Sequence, residues 1–429
     1  MLELDSGLAF DLAREEGFFA SLPARPGVLL LQMAEAGAQP YLARTVDIRR
    51  AAERLLRPPD SPSKRLNLRA VASGIRYRVT GSKFEQTLTL YQNAREKLPQ
   101  RYRDLLRLRR PALLKVNLRN EYPRCYVTRG LRADDAFYFG PFASRRSADG
   151  FAEAFLDLFK MRRCQIKIRR DPNYPGCIYS EMKMCLAPCF AGCSKQEYDV
   201  EVARVLQTLD STGSWLKEQL QREREAASES LDFEQAAAIH KRLEKVSAAL
   251  WGLPEIARRI EHIDAVILHR AAEEKSIAVF PVRRGLLSEP VFLDFGESSQ
   301  PRSVEAILRH ELDPEAAAAK SELPPDHPAA PNAQELNASE PPESVIQVET
   351  IPASDLTEMR KRYGLHSAPA ELSEHLAMIA RWFYSKPREG EIFFREKDWP
   401  YRRILRACSR LLQATAPQSP PSKTPPEKT

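Results

Sequence analysis

The chain has 429 residues, 43% hydrophobic and 29% charged, with 33 prolines against 17 glycines and a net charge of +7. That length exceeds one ordinary core and sets an expectation of two or three domains joined by extended linkers, and no run of about 18 apolar residues offers a membrane span. The acidic N-terminus lacks the basic start of a secretory signal, so the expected location is the cytoplasm and no membrane partner is expected.

Charge is unevenly placed. Residues 44 to 170 hold 31 Lys and Arg against 12 Asp and Glu, an excess of 19, which leaves the rest of the chain acidic. Basic charge gathered this way suits a polyanion, because each phosphate neutralised releases condensed counterions. A solvated basic face is the plainer alternative.

Residues 8 to 21 have the pattern of a short helix closed by Pro23 and Pro26, followed by the buried-strand run Gly27-Val28-Leu29-Leu30-Leu31. A second short strand covers residues 40 to 43, and Asp47 is placed to cap a helix over residues 48 to 56. Strand, strand, helix opens a small α/β domain. Residues 95 to 132 are the most basic stretch, and Arg101, Arg103, Arg107, Arg109 and Arg110 are the expected DNA contacts there. Tyr102, Tyr122 and Tyr126 are interleaved with them, either to lie against sugars and unpaired bases or to fill a core. No recognition-helix motif is visible, so the expected partner is the duplex backbone. A helix over residues 147 to 163 places Phe151, Phe155, Leu158 and Phe159 on one core-facing stripe and delivers Cys164 at its end.

Four of the seven cysteines follow with the spacing C-x12-C-x7-C-x3-C: Cys164, Cys177, Cys185 and Cys189, with Cys193 four residues later. In a reducing compartment such a group holds a metal rather than disulfides. Structural zinc prefers two close pairs, and only Cys185 and Cys189 are close; irregularly spaced thiolates suit an iron-sulfur cluster at least as well, so the spacing leaves both open. Arg162, Arg163, Arg169 and Arg170 surround the first cysteine, to offset a cluster's negative charge, to bind DNA, or both. Cys125 and Cys408 stand alone and read as structural.

Residues 195 to 210 form one amphipathic helix by pattern, and residues 214 to 250 a hairpin of two more, with Ser214 and Asp232 as caps and Gln235 completing a capping box. Leu216, Leu220 and Ala227 line one arm; Phe233, Ala236, Ala237, Leu243 and Val246 line the other. Residues 263 to 268, 276 to 282 and 291 to 295 alternate as a three-strand meander. Residues 313 to 350 have linker composition. Two helices, residues 371 to 384 and 400 to 412, flank Glu391-Ile392-Phe393-Phe394, and Trp382, Phe383, Trp399 and Tyr401 read as one small core before a Pro/Ser/Lys tail.

Several of these segments resemble the UvrC family of the excinuclease ABC system. Pro26-Gly27-Val28 and Tyr41-Leu42-Ala43-Arg44, with the basic helix after them, are similar to that family's N-terminal GIY-YIG nuclease domain. Val79-Thr80, Arg101-Tyr102 and Tyr138-Phe139-Gly140-Pro141-Phe142 continue the similarity. The resemblance implies a fold in which a tyrosine deprotonates water, an arginine meets the charge developing on phosphate and a glutamate holds one divalent metal. This chain has Leu29 where the first motif ends in tyrosine, Ala43 for the second motif's glycine, Ala51 at the arginine position and Leu90 or Tyr91 at the glutamate position; only Tyr41 matches. The expectation is a nuclease fold kept for binding, without incision and without its divalent metal. The alternatives are an active endonuclease with a metal site rebuilt from Arg49 or Arg50 with Glu85, and a redox or regulatory adaptor competing for UvrB.

Phe159-Lys160-Met161-Arg162-Arg163-Cys164 and Met184-Cys185-Leu186-Ala187-Pro188-Cys189 resemble the UvrC segment that carries a [4Fe-4S] cluster, which implies Cys164, Cys177, Cys185 and Cys189 as ligands and Cys193 as a spare thiol or alternative ligand. Leu231-Asp232-Phe233-Glu234-Gln235-Ala236-Ala237 resembles the UVR motif, which implies that Leu231, Phe233, Glu234, Ala236, Ala237 and Leu243 meet a UvrB-like helicase subunit; a hairpin without a partner is the alternative. The expected architecture is a degenerate GIY-YIG-like α/β domain over residues 1–135, a cysteine-rich segment over 136–194, a helical UVR region over 195–255 and a small β-meander domain over 256–312. A linker over 313–350, a helical segment over 351–412 within a small α+β C-terminal part, and a tail over 413–429 complete it. The RNase H-like nuclease and helix-hairpin-helix modules of a full-length UvrC are not expected, so the chain reads as a truncated UvrC-like protein.

Overall fold

The alternation Val28/Leu30 against Leu29/Leu31 sends apolar side chains to both faces of one strand, so that strand has to be covered on both sides. A computed structural model of the chain describes residues 2–58, 66–296, 303–313 and 368–413, and in it this strand, β2 (Gly27–Met33), is an inner strand of a four-stranded antiparallel sheet. Its companions are β1 (Ser6–Ala9), β3 (Tyr41–Thr45) and β4 (Ala72–Val79), in the order β1-β4-β2-β3. Leu29 and Leu31 face α1 (Glu15–Ser21) and α2 (Ile48–Leu56), packing with Phe19, Leu22 and Leu55. Val28, Leu30 and Leu42 face α3 (Lys83–Lys97), with Phe84, Leu88 and Tyr91. The cap at Asp47 forms as expected, its carboxylate accepting from the Arg50 backbone N–H at 2.9 Å. The helix expected from residue 8 starts only at Glu15, after a 3-10 turn at Leu12–Arg14, because Ser6–Ala9 pair with β4 instead.

The short helix α4 (Tyr102–Leu106) leads to a second sheet of order β6-β5-β7-β8, made by β5 (Ala112–Asn117), β6 (Arg124–Thr128), β7 (Ala136–Phe142) and β8 (Arg258–Arg259). Its core joins Leu114, Val116, Phe137 and Phe139 to Phe151 and Phe155 of α5 (Arg145–Leu156). It continues into α7 (Lys195–Asp210), α8 (Ser214–Glu229) and α9 (Phe233–Trp251) through Tyr198, Leu206, Leu220 and Val246. This sheet corrects the boundary expected at residue 135, which would separate β6 from β7 although both pair with β5. α5 is capped by Ser144 and ends at Leu156, so Cys164 lies well past the helix, while Phe159 is buried all the same. Gly213, not Ser214, is the N-cap of α8; Asp232 caps α9 as expected, accepting from the Gln235 N–H at 3.0 Å.

The expected meander is present as β9 (Ala265–Arg270), β10 (Ser276–Arg283), the short β11 (Leu286–Leu287) and β12 (Val291–Asp294). It is not a separate domain. β13 (Glu391–Phe394) returns to pair antiparallel with β9, bringing with it α11 (Pro369–Phe383) and α12 (Tyr401–Gln413). One face of this third sheet, with Ile267, Phe280 and Ile392, joins α3 and α11 in the same core as Val28 and Leu30. The other face, with Val266, Leu268 and Phe393, packs on α10 (Val304–Leu312) and α12. Trp382 and Trp399 therefore lie in different cores on opposite faces of the sheet, not in one small C-terminal core. The first and third sheets meet closely at Gly81, where a Cβ would stand 2.2 Å from the Ala271 carbonyl carbon. Most of the expected linker and the tail from residue 414 lie outside the described residues.

Candidate functional site

The nuclease-like positions begin at Gly27, whose backbone approaches β4 so closely that a Cβ would fall 2.2 Å from the Arg78 carbonyl oxygen. Two residues on, Leu29 is buried beneath α1 and α2, where Ala51 of α2 joins the same core and Tyr41 packs against it half-buried. Leu90 and Tyr91 belong to the core on the opposite face of the sheet. The proposed substitutes are divided in the same way. Arg49 is spent on α1, its Nε donating to the Leu22 carbonyl at 2.8 Å and its Nη2 to that of Ala20 at 3.1 Å. Arg50 is exposed and faces Asp47 at 3.6 Å. Glu85, on α3 across the sheet, is 1% exposed; its Oε2 accepts from the Gly81 N–H at 2.8 Å and Arg78 Nε lies 3.7 Å from Oε1. Burial, only partly offset by the Gly81 N–H and Arg78, pushes the Glu85 carboxyl up to about 7. Arg49 or Arg50 does not meet Glu85.

Sequence reasoning missed Glu374 on α11. Its carboxylate accepts from the hydroxyls of Tyr91 at 3.1 Å and Tyr102 at 2.9 Å and from Arg103 Nε at 2.9 Å. Arg95 pairs with Glu371 of the same helix. The face of α3 bearing the expected glutamate position is thus covered by α11. No local signal announces this, because Glu374 lies 283 residues from Tyr91 in the chain.

In the cysteine-rich segment, Cys177 is the N-cap of α6 (Ile178–Glu181), Cys185 precedes a left-handed Ala187, and Cys189 sits in a 3-10 turn over Pro188–Phe190. Cys164, Cys177 and Cys185 are half-buried and Cys189 is buried. Burial first, then the neighbouring Cys164, Cys189 and Cys177, holds the Cys185 thiol up at about 11, against the Ala187 N–H that donates to its sulfur at 3.3 Å. Cys189 is raised by burial and then by Cys177, with Cys164 also contributing. The four expected ligands therefore share one electrostatic neighbourhood, whereas Cys193 feels Cys189 alone among them. Among the described residues no group of three or more Cys, His, Asp or Glu side chains is placed to hold a metal ion. The donor set, four thiols with a backbone N–H on one sulfur and a cation beside another, is chemically suited to a cluster.

That cation is Arg162, which corrects its assignment as a DNA contact. It is 5% exposed; Nε donates to the Tyr122 carbonyl at 2.8 Å, Nη1 donates to the carbonyls of Cys164 and Ile166 at 3.1 Å, and Nη1 lies 3.9 Å from the Cys164 sulfur. Its backbone N–H donates to the Tyr198 hydroxyl, which itself donates to the Pro123 carbonyl at 2.7 Å. Arg162 is a brace for the cysteine segment. Arg163 is paired with Asp157 at 2.7 Å, Arg170 donates to the Cys193 carbonyl at 3.1 Å, and Arg169 is exposed.

The upstream basic stretch is mixed in the same way. Arg107, Arg109 and Arg110 are exposed; Arg101 is exposed with Nη1 donating to Gln39 at 3.0 Å, and Arg103 is held by Glu374. The tyrosines are not open platforms: Tyr122 is 2% exposed, Tyr102 is bonded to Glu374, and Arg124 covers the Tyr126 ring at 4.4 Å. In the hairpin, Leu231 and Phe233 are 72% and 67% exposed, Glu234 and Ala237 are exposed, and Ala236 is half-buried. Leu243 instead packs against the core of the second sheet.

Residues 112–208, which run from β5 through the cysteines into α7, match a family described as UvrC/Cho excinuclease, middle domain. The chain is also similar to proteins named UvrABC system protein C. That of Dehalococcoides mccartyi strain CBDB1 is 28% identical over 274 residues, 62% of this chain and 44% of that protein. That of Oleidesulfovibrio alaskensis is 29% identical over 269 residues, 62% and 38%. That of Desulfatibacillum aliphaticivorans is 28% identical over 299 residues, 68% and 49%. The chain thus spans about half the length of the curated relatives it matches, or less. No solved structure gives a significant match, and among the described residues no helix is long and apolar enough to cross a membrane. The middle domain is thus matched across the cysteines, and the similarity to UvrABC system protein C extends well beyond it.

Proposed function

We propose that this chain is a DNA-binding protein of nucleotide excision repair that holds an iron-sulfur cluster, docks a UvrB-like partner and does not itself cut DNA. The observation that carries the loss of incision is the division of the first sheet. Leu29, Ala51 and Tyr41 lie on one side and Tyr91 on the other, the last sealed beneath α11 by Glu374. A leucine takes no proton and an alanine steadies no anion, and a tyrosine hydroxyl donating to a carboxylate is a poor metal ligand.

The degenerate first domain is the GIY-YIG-like part of this reading. Cys164, Cys177, Cys185 and Cys189 would hold the cluster, and Arg162 offsets charge beside Cys164. A bound cluster would tie the extended segment, α6 and the 3-10 turn into one unit. Leu231 and Phe233 at the hairpin turn are apolar and open, which suits pairing with a partner hairpin.

The test is an incision assay with purified protein, a damaged duplex, magnesium and the loading partner. The expected result is a retarded complex without nicks. Nicking that depends on magnesium and disappears in a Glu85→Gln variant would restore the rebuilt-site reading.

A further inference from the structure

Arg107, Arg109 and Arg110 after α4, Arg129 after β6, and Arg381 on α11 line one groove of about 570 Å³. Its floor is Phe142 and the Pro111-Ala112 backbone, and Ala377 and Ala380 keep the α11 wall low. No acidic residue lines it. Among the described residues no carboxylate pairs with any of these five arginines, and the only partner of the Arg381 guanidinium is the Leu106 carbonyl at 3.5 Å. Neighbouring arginines outside the groove do meet carboxylates, Arg95 with Glu371 and Arg103 with Glu374.

Five like charges around a concave floor repel one another, and low-dielectric walls focus that field. The repulsion extends to Arg44 on β3, whose guanidinium is lowered by burial and then by the charge of Arg381. The arrangement is stable in water but far better satisfied by an anion with repeated oxygens, because guanidinium forks match phosphate geometry. Of the two aromatic residues lining the groove, one is buried and the other is half-buried with its hydroxyl engaged. Phe142 is 1% exposed, and Tyr384 at the edge donates its hydroxyl to the Pro141 carbonyl at 2.8 Å. Recognition here is therefore of the backbone and not of bases.

We propose that α11 completes a composite groove for the phosphate backbone of duplex DNA, in which Arg381 supplies a contact that the UvrC-like middle domain does not supply by itself. The proposal rests on the DNA-binding reading above and adds to it a role for the C-terminal segment, which the similarity to the family does not assign.

The experiment measures binding of the full chain to a short labelled duplex by fluorescence anisotropy across a salt series. Removing one phosphate-binding arginine lowers the slope of log affinity against log salt by about 1. Arg381→Gln is expected to lower it by about 1 and the double variant Arg109→Gln/Arg129→Gln by about 2. Arg381→Lys should keep the slope, and Arg406→Gln, an exposed arginine on α12 away from the groove, should match the parent. Thermal melts of each variant separate misfolding from a missing charge. A fall with the double variant but none with Arg381→Gln overturns the role of α11 and leaves the DNA-binding reading standing. Unchanged slopes in both, or no duplex binding by the parent, overturn that reading as well. Tighter binding to the matching single strand than to the duplex overturns the assignment of the groove to duplex.

Discussion

Tyr91 on α3 donates its hydroxyl to the carboxylate of Glu374 on α11 at 3.1 Å, and Tyr102 donates to the other oxygen at 2.9 Å. This carboxylate, beside the Arg95–Glu371 pair and a shared apolar core, fastens α11 to the N-terminal unit. Hydrogen bonds to a charged acceptor contribute about 1.5–3 kcal/mol each when shielded, and the Glu374 side chain is 13% exposed. The Arg103 contribution is small, because that side chain is 64% exposed. Glu374→Ala is expected to destabilise the protein by about 2–3 kcal/mol and Tyr91→Phe by about 1 kcal/mol in chemical denaturation. Equal midpoints for parent and Glu374→Ala would mean that the apolar core and the Arg95–Glu371 pair hold α11 without it.

Glu85 predicts a pH dependence of opposite sign to the usual carboxylate. Its folded pKa of about 7 lies above the ordinary 4.5, so the folded state binds the proton more tightly than the unfolded chain. Its contribution to stability is therefore fullest below pH 4.5 and is lost as pH rises to about 7, a fall of about 3 kcal/mol from this group. Glu85→Gln keeps an acceptor for the Gly81 N–H and removes the charge. The variant should be more stable than the parent above pH 7 and should lack this slope; parallel stability curves for the two proteins between pH 5 and 7 would contradict the assignment.

The cysteine reading separates four thiols from a fifth. Protein purified without oxygen is expected to be brown, with about four iron and four sulfide per chain for a [4Fe-4S] centre. Cys185→Ser and Cys189→Ser should lose the visible absorbance. Cys193→Ser should keep it, since Cys193 neighbours only Cys189 among the set. A colourless protein containing zinc would refute the cluster, and loss of colour in Cys193→Ser would reassign the ligands.

What could be read from sequence was what is decided locally. The Asp47 cap, the Phe151 and Phe155 stripe and the Asp232 cap each depend on residues within a turn or two, and each formed. What failed was decided across the chain. Ser6–Ala9 became a strand because β4 offered an edge, and Glu391–Phe394 became one because β9 did, more than 120 residues away. Arg162 looked like its neighbours in a basic run, and only the carbonyls of Tyr122, Cys164 and Ile166 around it make it a buried brace. Arg381 carried no signal at all in its helix, because its partners in the groove come from residues 107 to 129.

The hairpin turn should tolerate change in the free protein. Leu231 and Phe233 are mostly exposed, so Leu231→Ser/Phe233→Ser is expected to shift stability by no more than about 0.5 kcal/mol. Apolar anchors at a helix pairing surface typically cost more than about 1 kcal/mol each when truncated, so binding to a UvrB-like hairpin should weaken by roughly tenfold or more. Titration calorimetry with that partner checks this, and undiminished affinity would leave the hairpin as an internal element only.

Arg259 on β8 sets a last test of how the second sheet is joined to α7. It is 2% exposed, with Nη1 donating to Asp210 Oδ2 at 3.2 Å, Nε 3.4 Å from a Glu261 oxygen, and its guanidinium 3.6 Å from the Phe137 ring centroid. Burial already raises both carboxyls, and Arg259 is the first charge that holds them down. Arg259→Ala would leave buried Glu261 without its cation and partly exposed Asp210 with only His262 as a further charge, and is expected to cost about 3 kcal/mol near neutral pH. The same acids can escape the penalty by taking up protons, so the loss should shrink as the pH is lowered towards 5. Denaturation of parent and variant at both pH values checks the pairing. A loss of equal size at the two would point to packing against Phe137, and not charge, as what Arg259 contributes.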